Sequence, residues 1–484
     1  MKQIRQAASG VMWLVSLNVL MYALGIVNNV VLTRLLTPAA FGVFALGTYL
    51  FDLFQRPRII GLNYCLIAKQ PLDDEDIQTH WQLRSIFSIV VIALCFAGAP
   101  FLLRYYDRAV VAVMLVCALV SFFDAEGAAS TPLALLERSF SYRRISKTDF
   151  VGNLAGVVSG MLLALAGLGV WALVISQKVF LAAVVLWGYW SGVPWRPKFP
   201  WSWDKVRTKW FLVSQGGYLW LTGLLNFFTL TTDIAIVGTF LGLTDLGYYN
   251  RALSLARMPL MFLGAISRVA FPLYSSVKED RALRGRAFSE VFGLTLRVGM
   301  WFSLILWIGS AEIVGILYGP MWSPVIPVLM AFCLLAVARP LFDSVGGFFI
   351  ALERPKLYFL YSIGYTAVSL ASIAFGTWKW GTQGAAFASG LTLALAVGVM
   401  FLKVKSLEIG AISIGLRRAM AAVLLPVLAF EALRWYGMPF PASLFISLAI
   451  KTLLATGLYA AGLWLWDREN FLKMIQRLQG VMKR

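Results

Sequence analysis

Four arginines stand inside segments that are otherwise apolar: Arg56 and Arg58 in FDLFQRPRII (51–60), and Arg251 and Arg257 in YYNRALSLARMPL (248–260). Arginine stays charged at any physiological pH, and its planar fork can hold a phosphate or diphosphate through two parallel hydrogen bonds. A charge at membrane depth is costly and marks a functional site by default. Each segment also carries a proline, Pro57 or Pro259, which removes a backbone donor and is tolerated where the freed carbonyl meets a neighbour or water. Both segments therefore read as kinked helices lining a wet cavity, with basic residues outnumbering nearby acids and leaving net positive charge for an anion.

Further charges could act on one another. Asp124 and Glu126 in FDAEG and Arg339 and Asp343 in ARPLFD occupy apolar segments and read as a charge pair that neutralises itself or latches one face closed. Lys178, Arg268, Arg297 and Lys451 lie near proposed helix ends and read as snorkelling cations. Other reactive residues are few. Cys65, Cys95, Cys117 and Cys333 lack metal-ligand spacing and read as packing residues. His80, the single histidine, supports no metal or acid–base site. DDED (73–76) reads as a solvated cytoplasmic turn, and no GxxxxGK[ST] phosphate loop is present. No catalytic group, metal or cofactor is expected, and the chain reads as a non-enzyme.

Those charges must be positioned by membrane spans. The 484 residues are 60% hydrophobic and 13% charged, against about 25% charged for a soluble domain. At about 20 residues per span, the apolar runs make an all-α polytopic protein of about fourteen transmembrane helices. The basic start MKQIRQAASG leads into a long apolar run without a small-residue cleavage site, so it opens the first span. Connecting segments alternate between rich in Lys and Arg, such as Arg138, Arg143, Arg144 and Lys147, and poor, such as Arg34 alone or Lys379 alone. That asymmetry places both termini in the cytoplasm and explains the formal charge of +19 without a nucleic-acid partner.

The chain also matches itself. LLTPAAFGVF (35–44) resembles FLGLTDLGYY (240–249), and FDAEG, ALLER and GLGVWAL recur in order as FDSVG, ALER and GTQGAAF. The expected organisation is a six-helix lobe over 1–190, a basic cytoplasmic linker over 191–211, a second six-helix lobe over 212–405, and two additional helices with a basic tail over 406–484. Parallel repeats of even span number are a transporter arrangement, with the substrate path between the halves.

TRLLTPAAFGVFALG, PLALLERSFSYRRIS with GLGVWALVISQ, and DIAIVGTFLGLTDLGYYNRALSLARMPL with SRVAFPLYSSV together resemble the polysaccharide transporter branch of the multidrug/oligosaccharidyl-lipid/polysaccharide exporter superfamily, and more narrowly the Wzx-type flippases. The resemblance implies a bacterial inner-membrane protein with two six-helix lobes and two extra helices. It implies movement of an undecaprenyl-diphosphate-linked oligosaccharide to the periplasmic leaflet by alternating access without ATP, for exopolysaccharide or lipopolysaccharide synthesis. Partners would be that lipid, membrane lipids, and a polysaccharide polymerase with chain-length or export proteins. The diphosphate would meet a cationic cavity, which matches Arg56, Arg58, Arg251 and Arg257. The competing expectation is a cation-coupled drug exporter of the same fold. Such proteins need an intramembrane carboxylate, absent from the first helix but present as Asp233 in the seventh. A membrane-embedded glycan polymerase would need a large outer loop, and the outer loops here are short.

Overall fold

The computed structural model describes residues 2–56, 62–198, 217–408, 412–436, 441–468 and 472. Arg58 and most of the basic linker lie outside them. Two compact units emerge, Met1–Gly238 and Thr239–Arg484.

The first unit contains α1 (Lys2–Leu35), α2 (Pro38–Gln55), α3 (Leu62–Ala68), α4 (Asp74–Leu102), α5 (Arg108–Val120), α6 (Ser130–Arg138), α7 (Tyr142–Leu165), α8 (Val170–Trp190) and most of α9 (Gly217–Leu241). The second contains α10 (Leu243–Ala256), α11 (Met258–Ser276), α12 (Arg281–Ile308), α13 (Ser310–Leu317), α14 (Val325–Ala351), α15 (Pro355–Glu408), α16 (Ile412–Trp435) and α17 (Leu444–Trp466). Among the described residues seven helices are long and apolar enough to cross a membrane, α15 being two helical lengths joined at a kink at Trp380 and Gly381.

Several expected spans are broken. The apolar stretch over 40–67 holds α2, whose end Arg56 caps, and α3, with residues 57–61 between them outside the described ones. The span over 109–135 is α5 and α6, separated by turns at Ser121–Ala129. Those turns satisfy their own backbone, with Ala128 N donating to Phe122 O at 2.7 Å and Gly127 N to Asp124 O at 3.0 Å. Glycine is required at 127, because a Cβ would lie 2.3 Å from Phe122 O and 2.4 Å from Ser121 O. The span over 246–274 is α10 and α11, with Arg257 between them and Pro259 in the first turn of α11, where a missing N–H costs nothing.

Local signals explain the starts and stops. Thr37 caps α2 by accepting from Ala40 N, with Pro38 at the first helical position. Similar conformations recur about 212 residues apart. Phe140 and Glu353 both have left-handed backbones, φ 54° and 58°. Each closes a helix with the same two bonds: Ser141 N to Leu136 O and Phe140 N to Glu137 O, against Arg354 N to Phe349 O and Glu353 N to Ile350 O. Gly169 and Gly381 likewise share positive φ, 56° and 61°.

The last helix, α17, is anchored in the second unit by buried charge. Arg297 of α12 gives both Nε, at 2.8 Å, and Nη2 to Asp467 Oδ2, just past α17. Tyr459 donates its hydroxyl to Arg297 O at 3.1 Å. On α13, Glu312 Oε1 accepts from Lys451 Nζ at 2.6 Å and Ser447 Oγ at 2.8 Å. Arg297 and Lys451 are thus paired interior cations and do not snorkel. Around them Leu304, Ala422, Phe430, Ala455, Tyr459 and Leu463 form a core, and Gly462 lets α17 approach Ala422 so closely that a Cβ would lie 2.6 Å from its carbonyl oxygen.

Asp467→Ala strips Arg297 of this buried counter-charge and should cost about 3–5 kcal/mol of stability. Thermal unfolding of the detergent-purified protein measures it. Arg297→Met with Asp467→Leu should recover most of the loss, and a single variant as stable as the parent would refute the anchor.

Candidate functional site

In the first unit, Arg56 sits with its guanidinium carbon 4.2 Å from the centre of the Phe227 ring, which belongs to α9. Tyr49, seven residues earlier on α2, stacks on the same ring at 5.5 Å and 14°. The ring thus receives an aromatic face and a cation from one helix, an attraction that strengthens where water is excluded. Asp52 lies one turn before Arg56 and accepts from Gln55 Nε2. Asp233 is buried on α9, and its Oδ1 accepts from Ile234 N at 3.0 Å.

A second group of polar side chains fills the first unit between α3, α4 and α6. Asn63 Oδ1, on α3, accepts from Arg84 Nη2 at 2.7 Å and Ser130 Oγ at 2.7 Å, and lies 3.2 Å from His80 Nε2. His80 Nδ1 lies 2.9 Å from Thr131 Oγ1. A histidine protonated on Nε2 alone satisfies both contacts, donating to Asn63 and accepting from Thr131. Arg84 also reaches Glu126 Oε2 at 3.1 Å, tying α4 to the turns after α5. Arg138 Nη1 donates to the carbonyls of Leu66, Ile67 and Lys69 at 3.1, 2.9 and 2.6 Å. Lys69 in turn pairs with Asp76, which is fully buried.

DDED is solvated at Asp73, Asp74 and Glu75, which are exposed, but it starts α4 as a capping box of Asp73 and Asp76, and Asp76 is interior. Arg84 is interior too, only 2% exposed. The missed signal was periodic: Asp76, His80, Arg84 and Ser88 recur every four residues, on one face of a helix, and all four are buried. Nothing in the sequence singled out Asn63, Ser130 or Thr131.

In the second unit, Arg251 is half-buried on α10, with Nη2 donating to Asn250 Oδ1 at 3.4 Å. Arg257 is half-buried at the joint with α11. Six residues apart, the two arginines lie about 120° apart around a continuous helix, so one face does not carry both. Arg339 and Asp343 pair within α14 at 3.1 Å, one turn apart. Each charge singled out as a gate thus has a partner within its own unit: Glu126 with Arg84, Asp124 Oδ1 with Glu126 N at 2.9 Å, and Arg339 with Asp343. Among the described residues no group of three or more His, Cys, Asp or Glu is placed to hold a metal. Cys95, Cys117 and Cys333 are buried free thiols.

A family model described as "Polysaccharide biosynthesis protein" matches residues 31–327. Lipopolysaccharide biosynthesis protein WzxC of Escherichia coli (strain K12) is 22% identical over 373 residues, 76% of this chain and 74% of that protein. Succinoglycan biosynthesis transport protein ExoT of Rhizobium meliloti (strain 1021) is 24% identical over 363 residues, 73% and 71% of the two chains. A solved structure of the lipid II flippase MurJ in an inward closed conformation superposes with a TM-score of 0.72 at 14% identity, covering 95% of this chain and 99% of that one, which fixes the fold as the same. With more than half of its residues under the family model, the chain belongs to the polysaccharide biosynthesis protein family.

Proposed function

We propose that the protein is a flippase that carries an undecaprenyl-diphosphate-linked oligosaccharide from the cytoplasmic to the periplasmic leaflet of a bacterial inner membrane, by alternating access through a cationic cavity. The family match carries this reading. The intramembrane arginines supply its chemistry, and the recurring backbone conformations support two repeat-related lobes. Polymerase and export proteins would take up the product on the outer side, and both termini would lie in the cytoplasm.

Six residues apart, Arg251 and Arg257 are separated by about 9 Å along the chain of α10 at about 1.5 Å per residue, and would offer a diphosphate two successive partners. Arg56 suits a transient partner. A guanidinium stacked on a ring keeps its N–H donors in its own plane, pointing past the ring edge, so Phe227 and a phosphate can be engaged together.

Arg56→Ala, Arg58→Ala, Arg251→Ala and Arg257→Ala should each reduce polymer export in a complemented deletion strain, with protein still in the membrane. A lost charge-assisted hydrogen bond of about 1.5–3 kcal/mol corresponds to roughly a ten- to hundredfold weaker hold on the diphosphate. Arg56→Lys should be partly defective, since an ammonium cannot make the paired contact. Full complementation by all four alanine variants would sink the assignment. Loss of drug resistance in Asp233→Asn, with normal polymer export, would favour the drug-exporter reading.

The Arg339–Asp343 pair generates a separate expectation as a gate or charge pair. If its role is mutual neutralisation within α14, Arg339→Asp combined with Asp343→Arg should restore export lost in either single variant. Failure of the swap to restore anything would show that one of the two groups has its own role in the substrate path.

A further inference from the structure

A cleft of about 470 Å³ opens in the second unit where α11 meets α12 and where α14 and α15 end. Its size falls in the range of small-ligand sites. Lys278, Arg281, Arg284 and Arg354 line it against only two carboxylates, Glu279 and Glu353. These residues belong to the basic connecting segments that the loop asymmetry assigns to the cytoplasm. Topology signalling alone accounts for a count of cations in such loops. It does not account for their convergence, from segments about seventy residues apart, on one concavity.

The internal bonds define which cations a ligand would meet. Lys278 Nζ bonds Glu353 Oε1 at 2.8 Å, which raises the lysine above and holds the carboxyl below its usual range, so both are charged and neutralise each other at physiological pH. Glu353 is held in place by its left-handed backbone at the end of α14. Arg284 Nη1 donates to Lys278 O at 2.5 Å and fastens the loop to α12. Asp280 already takes the N–H groups of Ala282 and Leu283, so the start of α12 offers no open cap for an anion. Arg281 and Arg354 are both exposed.

We propose that this cleft binds a phosphate-bearing lipid headgroup on the cytoplasmic side, with Arg281 and Arg354 as its forks and Glu353 as a built-in competitor that yields Lys278 when the headgroup enters. Basic pockets between membrane helices on this side are suited to multiply charged phosphate headgroups. The proposal does not depend on the roles of the intramembrane arginines. The headgroup could come from a phospholipid with two phosphates or from a lipid diphosphate, both sharing this chemistry.

The test uses the full chain in nanodiscs of phosphatidylethanolamine alone, or with cardiolipin added, and separately with inorganic pyrophosphate, reading thermal stabilisation against ligand concentration. The combined variant R281A/R354A should bind at least roughly tenfold more weakly. E353Q keeps a hydrogen-bonding amide beside Lys278 but removes the competing charge, and should bind severalfold more tightly. Stabilisation by cardiolipin alone would identify a phospholipid site, and stabilisation by pyrophosphate as well would identify recognition of the phosphates themselves. Either supports the proposal when the variants shift as stated. An R281A/R354A protein that responds like the parent overturns it, as does an E353Q protein that binds no tighter. Because E353Q is expected to gain binding, misfolding cannot imitate the expected result.

Discussion

One nitrogen of Arg138 holds three carbonyls at the end of α3, those of Leu66, Ile67 and Lys69. A helix end leaves carbonyls without intrahelical partners, and leaving one buried and unsatisfied costs free energy. This seven-residue helix is closed by a cation. A guanidinium does so twice over, by hydrogen bonding and by complementing the negative end of the helix dipole. Asn63 then joins the same short helix to Arg84 and Ser130, and Lys69 joins it to Asp76. The short helix is in this sense held on several sides by buried polar side chains.

What the sequence made legible follows from which signals are local. Hydropathy, proline and alternating loop charge revealed a polytopic helical chain and the positions where helices must yield, since each of these acts within a few residues. Pro57 marked the end of α2, and Arg257 with Pro259 marked the joint of α10 and α11. The breaks themselves were harder to see. FDAEG gave no hint that its helix would stop there, while the related FDSVG lies inside the unbroken α14. The glycine is not what separates them, since Gly346 holds the equivalent place of Gly127 and sits inside the unbroken helix.

Partner choice was least legible, because it is set by tertiary approach. Glu126 meets Arg84 across 42 positions, and Arg297 meets Asp467 across 170. Cations near helix ends were easily taken for snorkelling ones, since burial of a charge depends on neighbours that no local pattern reveals. The four-residue stripe from Asp76 to Ser88 was the exception, a polar face on a helix that must cross an apolar medium. Such a stripe demands an interior, and it could have been read as one.

The two units share backbone conformations yet spend their interior charges differently. In the first, ion pairs and hydrogen bonds run between helices, from α4 to the turns after α5 and from α6 to α3. In the second, Arg339 and Asp343 pair one turn apart on a single helix, and the long-range buried pairs instead fasten α17 to α12 and α13. The mechanical consequences differ. A pair within one helix travels with that helix and resists no displacement from its neighbours, whereas a pair between helices must break or carry both along. Any rearrangement of the first unit therefore has to move α3, α4 and α6 as one body or unmake a buried polar cluster, while α14 can shift without losing its own ion pair. Two units that share some turns but distribute their charges differently can assign rigidity to one unit and freedom to a helix of the other.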